Sequence, residues 1–281
     1  FPPQLTPYED LEAALSGTDM VVSAIPTQGV RSFWESAIHH TPAHVPIVNA
    51  AKGIATTELE TIDELLRGIL ARTDAGRLVH LSGPSFALEL AQGKPTLLVA
   101  ASRNLDQAQA VHAAFNGANL KIYCSDDVVG VELGGALKNV IAIAVGIADG
   151  MGTGMNARAG LITRGLHEIN RLATRYGANP LTLAGLAGMG DLVLTCTGHL
   201  SRNRTLGFAI GEGRTPEEAI QALEGQVAEG FYTAQAARRL AERDQVEMPI
   251  CCAVARILSG EITPQDGLKE LLARETFLER S

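Results

Sequence analysis

The sequence lacks the features that mark several common classes of protein. It has no long basic run, and its net charge is −8, so we expect it neither to wrap nucleic acid nor to lie on an anionic membrane. Its most apolar run, residues 140–148, is far shorter than the ~20 residues that span a bilayer. The four cysteines form no CxxC pair, and Cys251 and Cys252 are adjacent, which is typical of free thiols in a reducing compartment.

Two candidate motifs lack the context that their chemistry needs. Residues 152–157 match a dinucleotide fingerprint with alanine in the last place, but they follow a predicted helix rather than a strand, so we interpret them as a loop. His39, His40 and His44 have no carboxylate or cysteine partner at metal-ligand spacing, which favours a surface loop over a metal site. The seven histidines also give no Ser-His-Asp order.

What is present indicates an ordinary globular protein. Hydrophobic residues make up 46% and charged residues 19% of the 281 positions, enough for a full core and for two domains of usual size. We find no internal repeat, no low-complexity segment and no visible signal peptide, although the chain begins with Phe1 rather than Met. We therefore expect a cytoplasmic protein.

The pattern of apolar residues divides the chain into two halves. In the first half, apolar runs at residues 20–25, 46–51, 78–81, 96–100 and 120–124 alternate with amphipathic segments such as 57–70 and 106–114. This alternation predicts βαβ units around a parallel sheet. In the second half, helical spacing predicts helices at 159–176, 215–223, 233–243, 249–258 and 264–272. We predict an α/β domain over residues 1–125 and an all-helical domain over residues 126–281.

Three predicted strands end in polar or glycine-rich segments. These are Pro26-Thr-Gln28, Ala51-Lys-Gly53 and Ser82-Gly-Pro-Ser85. Because ligands of an open α/β sheet bind outside the carboxyl ends of its strands, we expect the three segments to line one crevice. Lys52 would place an ammonium group there, opposite an anionic ligand. Ser85 could cap the next helix, whose backbone amides could also meet an anion.

The helix through residues 131–140 carries the most informative spacing. Gly134 and Gly135 lie four and three residues before Lys138 and share its helical face, and Ala142 follows one turn later. Each mid-helix glycine costs roughly 1 kcal/mol relative to alanine, which suggests close approach of a ligand or of another backbone. The alternative is tight helix packing, with Lys138 reaching to water.

Two further segments present polar groups that could take part in a site. Residues 188–191, with two glycines and Asp191, predict a bent turn that presents a carboxylate. Ser201-Arg-Asn-Arg204 offers a hydroxyl, a guanidinium and an amide at a predicted helix start, and both arginine donors and helix N-terminal amides suit phosphate. The alternative for the second segment is a helix cap beside solvated arginines.

In their order along the chain, these segments resemble the motifs of bacterial glycerol-3-phosphate dehydrogenases. The matching segments are Asn49-Ala-Ala-Lys-Gly53, Ser82-Gly-Pro-Ser-Phe-Ala87, Gly130-Val-Glu-Leu-Gly-Gly-Ala-Leu-Lys-Asn-Val-Ile-Ala142, Asn156-Ala-Arg-Ala-Gly-Leu-Ile-Thr-Arg-Gly165, Gly188-Met-Gly-Asp-Leu-Val-Leu-Thr-Cys196, Ser201-Arg-Asn-Arg204 and Gly225-Gln-Val-Ala-Glu-Gly230. Each is weak alone, but the ordered set is specific. The resemblance implies a Rossmann-type domain followed by a helical substrate domain.

The resemblance also implies a reaction and a set of residues. The reaction is the interconversion of dihydroxyacetone phosphate and sn-glycerol 3-phosphate with NAD or NADP, which supplies phospholipid synthesis. Lys138 would be the catalytic acid and base, with a pKa lowered by burial and by the cations Lys52 and Arg202. The implied substrate ligands are Lys52, Gly83, Ser85, Asp191, Ser201, Arg202 and Asn203. The implied cofactor contacts are Lys52, Ala87, Arg202, Val227 and Glu229.

The chain departs from the family pattern at its front. The family begins with a strand, a Gly-rich fingerprint and a helix, and none of these precedes Phe1, so we expect an N-terminally truncated Rossmann-type domain that binds NAD(P)H weakly and reveals no preference between NAD and NADP. We also expect a homodimer without nucleic-acid or stable membrane partners. The alternatives are a related two-domain hydroxyacid or 6-phosphogluconate dehydrogenase and a non-catalytic phosphate-binding fragment.

Overall fold

The structure, a computed structural model, describes residues 4–71 and 74–274. Its strands are β1 (Val21–Ser23), β2 (Ile47–Asn49), β3 (Ile54–Ala55), β4 (Glu60–Thr61), β5 (Leu78–Ser82), β6 (Thr96–Ala101) and β7 (Leu120–Ser125). Its helices are α1 (Leu11–Leu15), α2 (Val30–Ala37), α3 (Ile62–Leu70), α4 (Ala87–Ala91), α5 (Leu105–Phe115), α6 (Val128–Gly150), α7 (Met155–Arg175), α8 (Pro180–Leu183), α9 (Asp191–Thr197), α10 (Arg202–Gly211), α11 (Pro216–Gln221), α12 (Glu229–Asp244), α13 (Pro249–Leu258) and α14 (Pro264–Ala273).

Within the described residues, five strands form one sheet in the order β1-β2-β5-β6-β7, and β3 and β4 form a separate antiparallel hairpin. Strands β1, β2 and β5 are parallel, as are β6 and β7. The predicted Rossmann-type architecture is confirmed, with one difference: β6 runs antiparallel to β5. Helix α4 has no buried residue, so it does not pack on the sheet as a crossover helix would, and the chain returns alongside β5.

Helices cover both faces of this sheet. Because successive side chains of a strand point to opposite faces, Ile47 packs with α2 and α3, whereas Val48 packs with α5. The helix predicted at residues 57–70 begins only at Ile62, because residues 54–61 form the β3–β4 hairpin. Thr61 then starts α3 through a capping box with Glu64.

After β7, the described chain is helical, as predicted, and α6 forms the centre of its core. Two glycines let α6 and α10 pack backbone to backbone. A Cβ atom at Gly146 would lie 2.2 Å from the carbonyl oxygen of Arg204, and one at Gly207 would lie 2.1 Å from that of Ile143. The division of the chain at residue 125 stays a prediction.

The sequence analysis underestimated the length of the apolar segment that contains residues 140–148. That run belongs to a 23-residue helix, Val128–Gly150, which is long and apolar enough to cross a membrane by length and composition, as is the stretch Pro180–Thr197. In α6, however, 89% of the most apolar window is buried inside the fold. This is the setting of a core helix.

Two smaller predictions are confirmed, and a third is confirmed in part. His39, His40 and His44 are exposed in the segment between α2 and β2. The loop predicted at residues 152–157 is confirmed only for residues 152–154, because α7 begins at Met155. Gly154 has a φ of 89°, which favours glycine at the start of α7. Cys124, Cys196, Cys251 and Cys252 are free thiols.

Candidate active site

The candidate site lies at one edge of the sheet, where it meets α6. Strand pairing places Ser23, Asn49 and His80 side by side, so the carboxyl ends of β1, β2 and β5 meet at the same edge. The predicted alignment of the three polar strand ends is therefore confirmed. The polar segments after these strands face residues of α6, α9 and α12.

One buried carboxylate holds two ammonium groups at this edge. Lys138 Nζ lies 2.6 Å from Asp191 Oδ1, and Lys52 Nζ lies 2.7 Å from Asp191 Oδ2. Lys138 is 6% exposed and Asp191 is 1% exposed, while the Lys52 side chain keeps 20% of its surface exposed. The three charged groups come from α6, α9 and the segment after β2.

The glycines beside Lys138 explain how α6 reaches this position. A Cβ atom at Gly134 would lie 2.9 Å from the carbonyl oxygen of Ala187, so Gly134 permits close backbone packing. A Cβ atom at Gly135 would lie 2.8 Å from Ser82 Oγ and 3.7 Å from the Lys52 side chain. Gly134 thus fits the packing alternative, while Gly135 brings α6 against the strand-end residues. Lys138 itself does not reach to water, because its ammonium is bound within the protein.

Asp191 is held by a less common backbone conformation. Residues Leu186–Gly190 form a π-helical turn that leads directly into α9, so the prediction of a simple glycine-bent turn was wrong. Gly188 is required there, since a Cβ atom would lie 2.0 Å from the carbonyl oxygen of Leu183. One helical turn after Asp191, Thr195 Oγ1 lies 2.7 Å from Lys138 Nζ and donates to the Asp191 carbonyl oxygen.

The electrostatics of this group favour proton exchange at Lys138. Burial and, to a smaller extent, the nearby Lys52 charge lower the pKa of Lys138, and with the opposing effect of Asp191 included that pKa is about 8. Burial alone would raise the pKa of Asp191, but the two lysine charges outweigh it and hold that pKa below its ordinary value. The predicted lowering of the Lys138 pKa by burial and Lys52 is confirmed, whereas Arg202 is not among its causes.

Amide side chains connect this group to α10 and α12. Asn139 Nδ2 donates to the Lys52 carbonyl oxygen at 3.4 Å, and Asn203 Nδ2 donates to Asn139 Oδ1 at 2.9 Å. Asn203 Oδ1 in turn accepts the Gly230 N–H at 2.9 Å. The chain of contacts fixes Asn203 beside the two lysines.

The first turn of α10 carries the predicted phosphate ligands. Ser201 caps the helix and accepts the Arg204 N–H at 3.2 Å, so the predicted helix start is confirmed. Arg202 is the first residue of α10 and is exposed. Across the described residues we find no hydrogen bond or ion pair of the Arg202 guanidinium, which leaves its donors available to a ligand.

The segment after β5 differs in detail from the prediction. Ser85 does not cap α4, because Phe86 occupies the cap position, and the Ser85 hydroxyl donates to the Gly83 carbonyl oxygen at 3.1 Å. Lys52 Nζ donates to the same oxygen at 2.9 Å. Gly83 has a φ of 123°, a conformation that side chains rarely adopt.

Polar atoms next to Glu229 fit a cofactor. Glu229 Oε1 accepts the Thr27 N–H at 3.0 Å, and burial raises the pKa of the Glu229 carboxyl. Glu229 Oε2 and Thr27 Oγ1 are buried and make no well-aligned hydrogen bond within the described chain, although the Thr27 side chain interacts with the carboxyl and lowers its pKa. Buried polar groups are usually fully hydrogen-bonded. Val227 is half-buried, and Ala87 is exposed in α4.

Sequence reasoning missed three residues of the site: Thr195, Asn139 and Thr27. Thr195 lies one helical turn after Asp191, and Asn139 directly follows Lys138, so helical spacing could have drawn attention to both. Thr27 lies in a strand-end segment that we identified, but its link to Glu229 spans 202 positions and leaves no local signal.

Comparison with known proteins decides the family. The family model of NAD-dependent glycerol-3-phosphate dehydrogenase matches in two parts, its N-terminus over residues 1–108 and its C-terminus over residues 127–269. The chain belongs to this family.

Relatives within the family resemble the chain over nearly its whole length. Glycerol-3-phosphate dehydrogenase [NAD(P)+] of Anaeromyxobacter dehalogenans is 50% identical over 276 residues, which cover 98% of this chain and 83% of that protein. The protein of the same name from Geobacter metallireducens is 48% identical, over 96% of this chain and 80% of that one. The crystal structure of glycerol-3-phosphate dehydrogenase from Coxiella burnetii has a TM-score of 0.92 at 40% identity and covers 98% of this chain and 83% of that one. The resemblance drawn from the motifs is confirmed over the related hydroxyacid dehydrogenases.

Proposed function

We propose that this protein is an NAD(P)-dependent glycerol-3-phosphate dehydrogenase, which interconverts dihydroxyacetone phosphate and sn-glycerol 3-phosphate. The observation that carries the proposal is the pair of ammonium groups on one carboxylate, with Lys138 Nζ at 2.6 Å and Lys52 Nζ at 2.7 Å from Asp191. Two cations, one after β2 and one on α6, suit a phosphorylated ketone, whose oxygen becomes negative during reduction.

Lys138 is the proposed catalytic acid and base. Reduction adds a hydride to the ketone carbon, and the reduced nicotinamide supplies that hydride when bound. Negative charge then develops on the ketone oxygen, and Lys138 Nζ stabilises it and donates the proton that completes the alcohol. In the reverse direction, the neutral amine accepts the hydroxyl proton. A pKa of about 8 makes both forms of Lys138 accessible near neutral pH.

Other residues bind and orient the substrate. Arg202, Ser201 and Asn203 lie in the first turn of α10, where paired guanidinium donors and backbone amides suit the phosphate. Asp191 keeps both lysines in place. On the opposite side, Lys52, Gly83 and Ser85 contact the substrate from the α/β half. Since both halves supply ligands, their closure would exclude water from the reacting atoms.

Cofactor contacts are proposed around the same crevice. They involve Lys52, Ala87, Arg202, Val227 and Glu229, and the unpaired buried oxygen of Glu229 supports a polar ligand there. Either NAD or NADP is consistent with these residues. We further propose a cytoplasmic homodimer that supplies glycerol 3-phosphate for phospholipid synthesis and binds neither nucleic acid nor membrane stably.

The test is NAD(P)H oxidation by the purified full-length protein. We expect turnover with dihydroxyacetone phosphate, and much less with unphosphorylated dihydroxyacetone or with a 2-keto acid, because the last two do not offer a phosphate to α10. Preference for the 2-keto acid would favour a hydroxyacid dehydrogenase instead. Binding of phosphate ligands without any turnover would favour the non-catalytic alternative and contradict the proposal.

A further inference from the structure

A second cluster of buried charges lies beneath the lysine pair. Its members are His80 on β5, Asp63 on α3, Glu132 on α6 and Arg103 between β6 and α5. His80 Nδ1 lies 2.9 Å from Glu132 Oε1, and His80 Nε2 lies 3.4 Å from Asp63 Oδ1. Arg103 donates to Asp63 Oδ2 at 2.7 Å from a half-exposed position. None of these residues takes part in the proposed reaction steps.

The two flanking carboxylates favour a positive charge on His80. Its ring is 2% exposed and lies between two carboxylates, one at each nitrogen. A neutral ring would leave one nitrogen lone pair facing a carboxylate oxygen. Burial alone would lower the pKa of His80, but Glu132 and Asp63 outweigh it and raise that pKa to about 9. With His80 charged, two cations balance two anions in the cluster.

The cluster joins the sheet to the helix that carries Lys138. Both Glu132 oxygens accept the Asp63 N–H, at 2.9 and 3.1 Å, in the first turn of α3. Glu132 precedes Lys138 by six residues on α6, a rise of about 9 Å along the helix axis. On the sheet side, Asn49 packs against His80, with its amide nitrogen 3.2 Å from His80 Nδ1; this is a packing contact and not a hydrogen bond when His80 is charged. Asn49 precedes Lys52 by three residues.

One small cavity lies between this charge cluster and Lys52. Its lining includes His80, Glu132 and Gly135 together with Lys52 and Ser82. A shift of Glu132 relative to His80 would therefore move α6 against the strand ends. Lys138 and Lys52 meet on Asp191 across that same boundary, so their spacing depends on how α6 is seated.

We infer that His80 is a positioning residue for the dehydrogenase reaction: its imidazolium seats Glu132, and with it α6, so that Lys138 and Lys52 both reach Asp191. This inference rests on the proposed function. A carboxylate at residue 132 suffices to cap α3, since backbone N–H groups need only an acceptor. The His80 imidazolium on β5 also fixes the position of α6 relative to the sheet.

Two variants test the role of the ion pair. His80→Gln removes the cation, and Glu132→Gln removes the anion but keeps a carbonyl oxygen for the Asp63 N–H, so the cap of α3 survives. In both we expect kcat for dihydroxyacetone phosphate reduction to fall about tenfold or more. We also expect the alkaline limb of the pH–rate profile to move away from that of the unaltered protein, because the pKa of Lys138 depends on both its burial and its contact with Asp191.

Leu66→Ala is the matched control for stability. Leu66 is fully buried on α3 and packs in the core that contains α2 and β2, away from α6. We expect it to lower the melting temperature at least as much as Glu132→Gln, yet to leave kcat and the alkaline limb unchanged below that temperature. Unchanged kcat and an unmoved limb in Glu132→Gln would overturn the inference. If the unaltered protein does not oxidise NAD(P)H at all, the proposed function fails first, which separates the two failures.

Discussion

Asp191 carries the only negative charge in the described residues that contacts both active-site lysines, so removing that charge tests the electrostatic account of the site. Asp191→Asn keeps the size of the side chain and one carbonyl acceptor. What it removes is the attraction that opposes desolvation of Lys138. Burial and the Lys52 charge would then act unopposed, and the pKa of Lys138 would fall below its value of about 8.

The size of this effect follows from the contact distance. An opposite charge within about 4–6 Å shifts a pKa by roughly 1–3 units, and Asp191 lies 2.6 Å from Lys138 Nζ. The variant would therefore bring the pKa of Lys138 to about 5–7. At pH 7, the protonated fraction of the acid would fall by roughly twofold to a hundredfold, and the reduction rate would fall with it.

The assay is the pH dependence of kcat for dihydroxyacetone phosphate reduction at saturating cofactor, below the melting temperature of each variant. We expect the alkaline limb of Asp191→Asn to move to lower pH and part of the lost rate to return on acidification. Thr195→Val is the control, because it removes a hydrogen bond from Lys138 Nζ but leaves the charge of Asp191. An alkaline limb of Asp191→Asn that coincides with that of the unaltered protein would refute this account.

Three other changes probe the phosphate site, the core and a buried acid. Arg202→Lys keeps the charge but loses the paired donors, so kcat/KM should fall far more for dihydroxyacetone phosphate than for dihydroxyacetone; equal losses would show that Arg202 does not bind the phosphate. Gly146→Ala places a Cβ atom 2.2 Å from the Arg204 carbonyl oxygen, and thermal melts should show a loss of several degrees; an unchanged melting temperature would contradict the tight α6–α10 packing. Burial raises the pKa of Glu168 from 4.5 to about 7, so the folded state binds the proton more tightly and stability falls as pH rises through that window. Glu168→Gln should reduce this fall in the free energy of unfolding by roughly 3 kcal/mol, measured by denaturant titration at both ends of the window, and an unaltered slope would show that Glu168 titrates normally.

Local patterns predicted most of the scaffold. The five apolar runs of the first half became the five strands of the sheet, and the helix predicted at residues 249–258 matches Pro249–Leu258. Helix α2 was not predicted, because its N-terminus has no capping side chain to mark its start. The reversed direction of β6 was also not predictable, since strand direction depends on how α4 packs and not on the apolar run itself.

In the site, too, features set by residues close in sequence were predictable, whereas contacts between distant residues were not. The spacing of Gly134 and Gly135 before Lys138 marked this helical face as a candidate for close approach, because helical neighbours are close in sequence. The catalytic role of Lys138 came from the family resemblance. The pairing of Lys138 with Asp191 joins residues 53 positions apart, and no periodicity records such a contact. Ser85 was assigned a capping role from its residue type, but the extended backbone of Phe86 places the cap one residue later.

The central claim is that Lys138 exchanges the proton with the substrate. Its most direct test is kcat for dihydroxyacetone phosphate reduction in the full-length protein and in Lys138→Met, with the melting temperatures measured in parallel. We expect Lys138→Met to stay folded and to lose about a hundredfold or more of kcat. A folded Lys138→Met with a kcat near that of the unaltered protein would contradict the account.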